Sequence, residues 1–348
     1  MSRPGFALAI FATLLAAVVV MLGAYTRLTH AGLGCPDWPG CYGFLSVPMS
    51  ERAQEVAALR FPDAPLEIDK GWNEMVHRYV AGLLGLVILI LALRAIQWRS
   101  RSGQPLRLPI LLLGLVILQA AFGMWTVTLK LWPQVVVAHL LGGFATLALL
   151  FLLSLRLSGR LPALPAAPVS LRLLAWLTLL LVVGQITLGG WVSANYAAMA
   201  CVDLPTCQGQ WWPAMDFHNG FRVAQEKGPN YLGGQLDGAA RTAIHMTHRL
   251  GALLVALVGL LLAWRLWVAG LGGLALLLLL ALGAQLALGV ANVLLHLPLH
   301  LALAHNAGGA LLLLAVVLVH FRLRRPAGVL QVRPLPKRIE PAREGAMP

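Results

Sequence analysis

Eight stretches of about twenty mostly apolar residues occur along this chain, at 6–26, 73–97, 108–128, 134–156, 171–192, 241–267, 271–293 and 300–321. About twenty such residues are what one helix needs to cross a bilayer. A backbone in lipid must satisfy its own hydrogen bonds, so each stretch is expected to be a helix. Charged residues make up 11% of the chain, against about 25% in a soluble domain. The expected fold class is therefore an all-α membrane protein with eight transmembrane helices. The first stretch follows Arg3 but is too long for a signal-peptide core, and no clear small-residue cleavage site follows it.

The formal net charge of +13 would suggest a nucleic-acid ligand if it were clustered on one soluble face. Mapped onto eight spans, it reports topology. With the N-terminus inside, one set of connectors and the tail hold 16 of the 26 Lys and Arg residues, but only Glu340 and Glu344 among the 13 acids. This is the positive-inside pattern. It places both termini in the cytoplasm of a bacterial inner membrane and the long loops outside, with no nucleic-acid partner.

Those long loops, roughly 27–72 and 193–240, contain all four cysteines. Cys35 to Cys41 reads CPDWPGC and Cys201 to Cys207 reads CVDLPTC, the same Cys-x-Asp-x-Pro-x-Cys motif displaced by 166 residues. That displacement also relates Gly23 to Gly189, Gln119 to Gln285, Gly123 to Gly289 and His139 to His305. A four-helix unit is thus expected twice, as two duplicated four-helix bundles. The expected halves are 1–156 and 171–321. A proline-rich linker at 157–170 joins them, and a basic cytoplasmic tail follows at 322–348. An oxidising outer compartment and short spacing predict the disulfides Cys35–Cys41 and Cys201–Cys207. Either pair could be structural or redox-active.

Four of the ten histidines recur as repeat partners near the outer ends of even-numbered spans. His77 is expected to open the second span and His248 the sixth, while His139 and His305 open the fourth and eighth. Ionisable groups inside a bilayer are costly and usually functional, and neutral imidazole is a good axial ligand for haem iron. Gly142 and Gly143 follow His139 by three and four residues, and Gly308 and Gly309 follow His305 in the same way. Such bare helix faces would admit a flat macrocycle; the competing reading is close helix packing through small residues. Arg78 and Arg249 directly follow His77 and His248. They could hold haem propionates or snorkel to the interface. His245 takes the place before His248 that Glu74 holds before His77, either supporting a ligand or packing as a polar residue.

These features resemble the haem A synthase family. The resemblance is carried by GAYTRLTHAGLGCPDWPGC from Gly23, EMVHR from Glu74, the HR at His248, and the helices of His139 and His305. It covers all eight spans and excludes the tail. It implies oxidation of the C8 methyl of haem O to a formyl group for terminal oxidases. It further implies substrate-haem ligands His77 and His139, a haem b (iron) cofactor on His248 and His305, and Glu74 as the catalytic carboxylate. Glu74 could instead orient His77 or satisfy the helix start. Expected partners are haem O, a haem O synthase as its candidate donor, an electron acceptor, the lipid bilayer and a candidate second copy of the chain. Two rival readings stand beside this one. A two-haem membrane cytochrome b electron carrier would need the same histidines without Glu74, and a membrane thiol oxidoreductase would use the outer cysteines.

Overall fold

The computed structural model describes residues 3–159 and 167–324. The helices are α1 (Phe6–Leu28), α2 (Glu51–Arg60), α3 (Ile68–Gln97), α4 (Arg107–Thr128), α5 (Pro133–Ser158), α6 (Val169–Ala194), α7 (Phe217–Gly220), α8 (Gly238–Val268), α9 (Gly272–Leu294) and α10 (Leu299–Arg322). All except α2 and α7 are long and apolar enough to span a membrane, giving eight spans among the described residues. No strand is present among those residues. The tail from 325 onward and linker residues 160–166 lie outside the described part.

Two spans start earlier than hydropathy alone places them. Helix α3 begins at Ile68 rather than 73, and α8 at Gly238 rather than 241. In α8 the Asp237 carboxylate accepts the Ala240 N–H at 2.8 Å, capping a first turn that hydropathy cannot see. In α3 the acid Asp69 lies in the first turn, where the helix dipole favours negative charge. Consequently His77 and His248 do not open their helices. They lie about three turns in, below polar extensions that project past the apolar zone. The first outer loop also contains α2, whose Ser50 N-cap accepts the Ala53 N–H at 3.3 Å.

Helix α1 packs on α3 and α5, and α4 on the same two; α6 packs on α8 and α10, and α9 on the same two. The two sets meet where α5 packs on α6 and α10, and α1 on α10. One apolar core runs through both sets. It uses Ala9, Ala12 and Ala16 of α1, Leu147, Leu150 and Leu153 of α5, Leu262 and Leu266 of α8, and Val316 and Val319 of α10. On α5, α8 and α10 these residues follow the histidines in sequence. The packed core therefore fills the end of the helices away from the cysteine loops, and the histidines occupy the loop end.

The outer loops are built structures. Both cysteine pairs are closed, Cys35–Cys41 and Cys201–Cys207. Asp37 accepts the N–H groups of Tyr42 and Gly43 at 2.7 and 2.8 Å, and Asp203 those of Gln208 and Gly209 at 2.7 and 3.0 Å. Asp203 also accepts the Thr206 hydroxyl. That bond and the backbone donors hold its carboxyl down to about 2. The second loop reaches across to the other set of helices, where Trp132 donates to the Gln225 carbonyl at 3.2 Å and Tyr231 to that of Lys130 at 3.0 Å.

Candidate functional site

Each of the four recurring histidines stands against a glycine on a neighbouring helix. A methyl group added at Gly23 of α1 would come within 3.0 Å of the His77 ring, and one at Gly123 of α4 within 3.5 Å of His139. At Gly189 of α6 and Gly289 of α9 the added carbon would come within 3.2 Å of His248 and of His305. The sequence selected the glycines that follow the histidines on their own helices. The structure adds the glycines across the helix gap, and those set where the rings stand.

The histidines are brought together as expected from the repeat. His139 is within electrostatic reach of His77, and His248 of His305. The Nδ1 atoms of His77, His139 and His305 are buried without a hydrogen-bond partner. A buried imidazole nitrogen left unpaired is expensive; the His77 ring meets the Val19 backbone and the His305 ring meets Gln285 on the protein side, which leaves one nitrogen of each without a protein partner. Among the described residues no three His, Cys, Asp or Glu side chains gather as a metal cluster. Each half thus brings two imidazoles near one another, and neutral imidazole is a ligand type that haem iron accepts.

Three glutamines enter the same spaces. A carbon added at Gly142, Gly251 or Gly308 would collide with the amide of Gln119, Gln185 or Gln285 respectively. Gln185 donates to the His248 carbonyl at 2.8 Å and lies 3.0 Å from its Nδ1. The Oε1 atoms of Gln185 and Gln285 are buried and unpartnered. Sequence reading picked out Gln119 and Gln285 through the repeat but missed Gln185. The signal was available as Gln-x-x-x-Gly, which occurs at 119–123, 185–189 and 285–289.

Glu74 is 5% exposed and fully engaged. Its Oε2 accepts the Cys35 N–H at 2.9 Å, and its Oε1 pairs with Arg78 at 2.6 Å. Arg78 also donates to the Asp37, Pro39 and Gly40 carbonyls. Arg249 donates to the Thr206 and Cys201 carbonyls at 2.9 and 3.1 Å, while its Nε is buried and unpartnered. Both arginines thus fasten a disulfide loop to the helix that carries a histidine. His245 lies 3.1 Å from the Ala197 carbonyl, a packed polar contact to the outer loop.

Residues 6–317 match the COX15-CtaA family, described as cytochrome oxidase assembly protein.

The chain belongs to this family. Among its relatives, a protein of Shewanella oneidensis named heme A synthase is 46% identical over 308 residues, covering 88% of this chain and 92% of the relative. One of Methylobacterium radiotolerans with the same name is 32% identical over 341 residues, covering 91% and 89%. One of Mesorhizobium japonicum, likewise named heme A synthase, is 30% identical over 348 residues, covering 92% and 89%. As a cytochrome oxidase assembly protein, this chain carries its histidine pairs at the loop end of a helical membrane scaffold.

Proposed function

We propose that this protein is a haem A synthase, oxidising the C8 methyl of haem O to a formyl group. The observation that carries the reading is the four half-buried histidines, paired within each half and each backed by a glycine. The names of its relatives support the same chemistry. Converting a methyl to a formyl group with oxygen from water releases four electrons and four protons, so the reaction needs both an electron acceptor and proton acceptors.

His77 and His139 hold the substrate haem in the half made of residues 1–156. His248 and His305 hold haem b in the half made of residues 171–321, with 157–170 as linker. When bound, haem b supplies one-electron redox chemistry. The apolar core beneath the rings keeps water from entering from the cytoplasmic side. Glu74 accepts protons at its carboxylate, a role a positioned carboxylate can fill. Its bonds to the Cys35 N–H and Arg78 favour a second reading, in which it anchors the first disulfide loop over the substrate site. Arg78 and Arg249 hold the outer rims, where Arg249 has an Nε free to meet a propionate. The protein lies in a bacterial inner membrane with both termini cytoplasmic and the disulfide loops outside. A haem O synthase is the proposed donor of substrate.

The test is expression in cells that make haem O but no haem A, followed by haem extraction and chromatography. Appearance of haem A with the wild-type protein and its loss with His77→Ala are expected. Unchanged haem O beside a reducible b-type spectrum would establish the electron-carrier alternative instead.

A further inference from the structure

Four helix positions stand one turn before the glycines that back the histidines. On α4, α6 and α9 they are Gln119, Gln185 and Gln285; on α1 the matching residue, four before Gly23, is Val19. The opposing helix follows the same division. Three residues after His139, His248 and His305 come Gly142, Gly251 and Gly308, each meeting one of those amides. Three residues after His77 comes Val80. Thus three histidine quadrants pair a glutamine with a glycine, and the His77 quadrant alone has two valines in their places. Both valines are half-buried, and Val19 packs on the apolar core. The same quadrant holds Glu74, where the other half has His245.

We propose that Val19 and Val80 are specificity-determining residues, forming an apolar wall that selects haem O and receives the ring edge to be oxidised. The inference rests on the substrate assignment of His77 and His139. An amide entering that quadrant would present polar atoms to a methyl edge and an isoprenoid arm that cannot pair with them. The other half shows what such amides do, since Gln185 and Gln285 each leave a buried oxygen unpartnered. A buried polar group without a partner is disfavoured enough to shift binding by about tenfold. In the quadrants that keep their amides, bare glycine faces leave room for them. In the His77 quadrant, two half-buried branched apolar residues stand at those positions.

The test uses the full-length protein purified from cells producing both haem b and haem O, with bound haems extracted and separated. In a Val19→Gln, Val80→Gly double variant the ratio of haem O plus haem A to haem b should fall about tenfold. The b-type spectrum from His248 and His305 should persist. An unchanged ratio overturns the proposal. Should the double variant lose that spectrum, Val19→Thr keeps the side-chain shape while adding a hydroxyl. A smaller fall in the same direction is expected there, and no fall is equally fatal. A His77→Ala variant that keeps its full complement of haem O would sink the ligand assignment itself, whichever way the valines behave.

Discussion

Glu74 is a carboxylate enclosed by the backbone amides of Cys35 and Gly34 and one guanidinium, and its neighbours make the two readings of it separable. Glu74→Gln retains an oxygen for the Cys35 N–H but removes the charge that pairs with Arg78. If Glu74 accepts protons in the oxidation, this variant should bind both haems with wild-type spectra and produce no haem A. If it only anchors the loop, haem A should form at nearly the normal rate while the outer loop becomes protease-sensitive. Arg78→Ala makes the complementary measurement. It leaves a buried carboxylate without its counter-ion, an arrangement that costs about 3–5 kcal/mol. Thermal unfolding in detergent should register that loss more strongly than for Arg249→Ala, since Arg249 bonds to the Thr206 and Cys201 carbonyls and feels the Asp203 charge only at a distance.

At the scale of helices, the glycines across each gap make a sharp prediction. Gly23→Ala places a carbon 3.0 Å from the His77 ring, tight enough that the ring must shift slightly to admit it. Alanine is also the better helix former by about 1 kcal/mol. The variant should therefore stay fully helical by circular dichroism yet lose or shift the haem bound in that half. Gly189→Ala should do the same to the b-type spectrum through His248. Retention of both spectra would show that the glycines serve helix packing alone. This division also explains what was legible beforehand. The eight spans could be read because apolar length is a property of one segment, and the histidine pairs because a repeat aligns them. The cross-gap glycines were visible only as repeat partners. Their contacts with His77, His139, His248 and His305 join residues from different helices, which no local pattern encodes. The polar tops of α3 and α8, and α2 in the first loop, escaped for a different reason. They are held by caps such as Asp237 and Ser50, not by hydropathy.

For the molecule as a whole, the outer junction between the halves is a small aromatic and cationic clasp. Arg27 lies over the Tyr196 ring at 4.1 Å and donates to the Ser193 carbonyl, and His30 stacks on Tyr196 at 5.5 Å with planes 7° apart. Partial burial, followed by the positive charges of Arg27 and Lys70, holds the His30 imidazole below its ordinary value of 6.5. The sign follows from that depression. Above about 6.5 His30 is neutral whether the clasp is closed or open. Below it, the opened state takes the proton first, so the clasp weakens as pH falls. The unfolding temperature in detergent should drop between about pH 7 and pH 5. His30→Phe, which keeps a ring but cannot titrate, should flatten that dependence; an identical slope in the variant would remove His30 as its source.

His30 and Tyr196 are also separated by 166 residues, as are Arg27 and Ser193. Each therefore touches the position that corresponds to itself in the repeat. On the proposed duplication, such self-matching contacts mark where an axis relating the halves would cross. In an isologous pair of separate subunits, both sides of that axis must carry the same side chain: histidine would meet histidine, and arginine would sit opposite arginine. Joined in one polypeptide, the two sides are free to diverge, and an imidazole can face a phenol. The same freedom reaches the pockets. Identical subunits would be obliged to treat both occupants alike, whereas a fused chain can keep one as a permanent resident and let the other go.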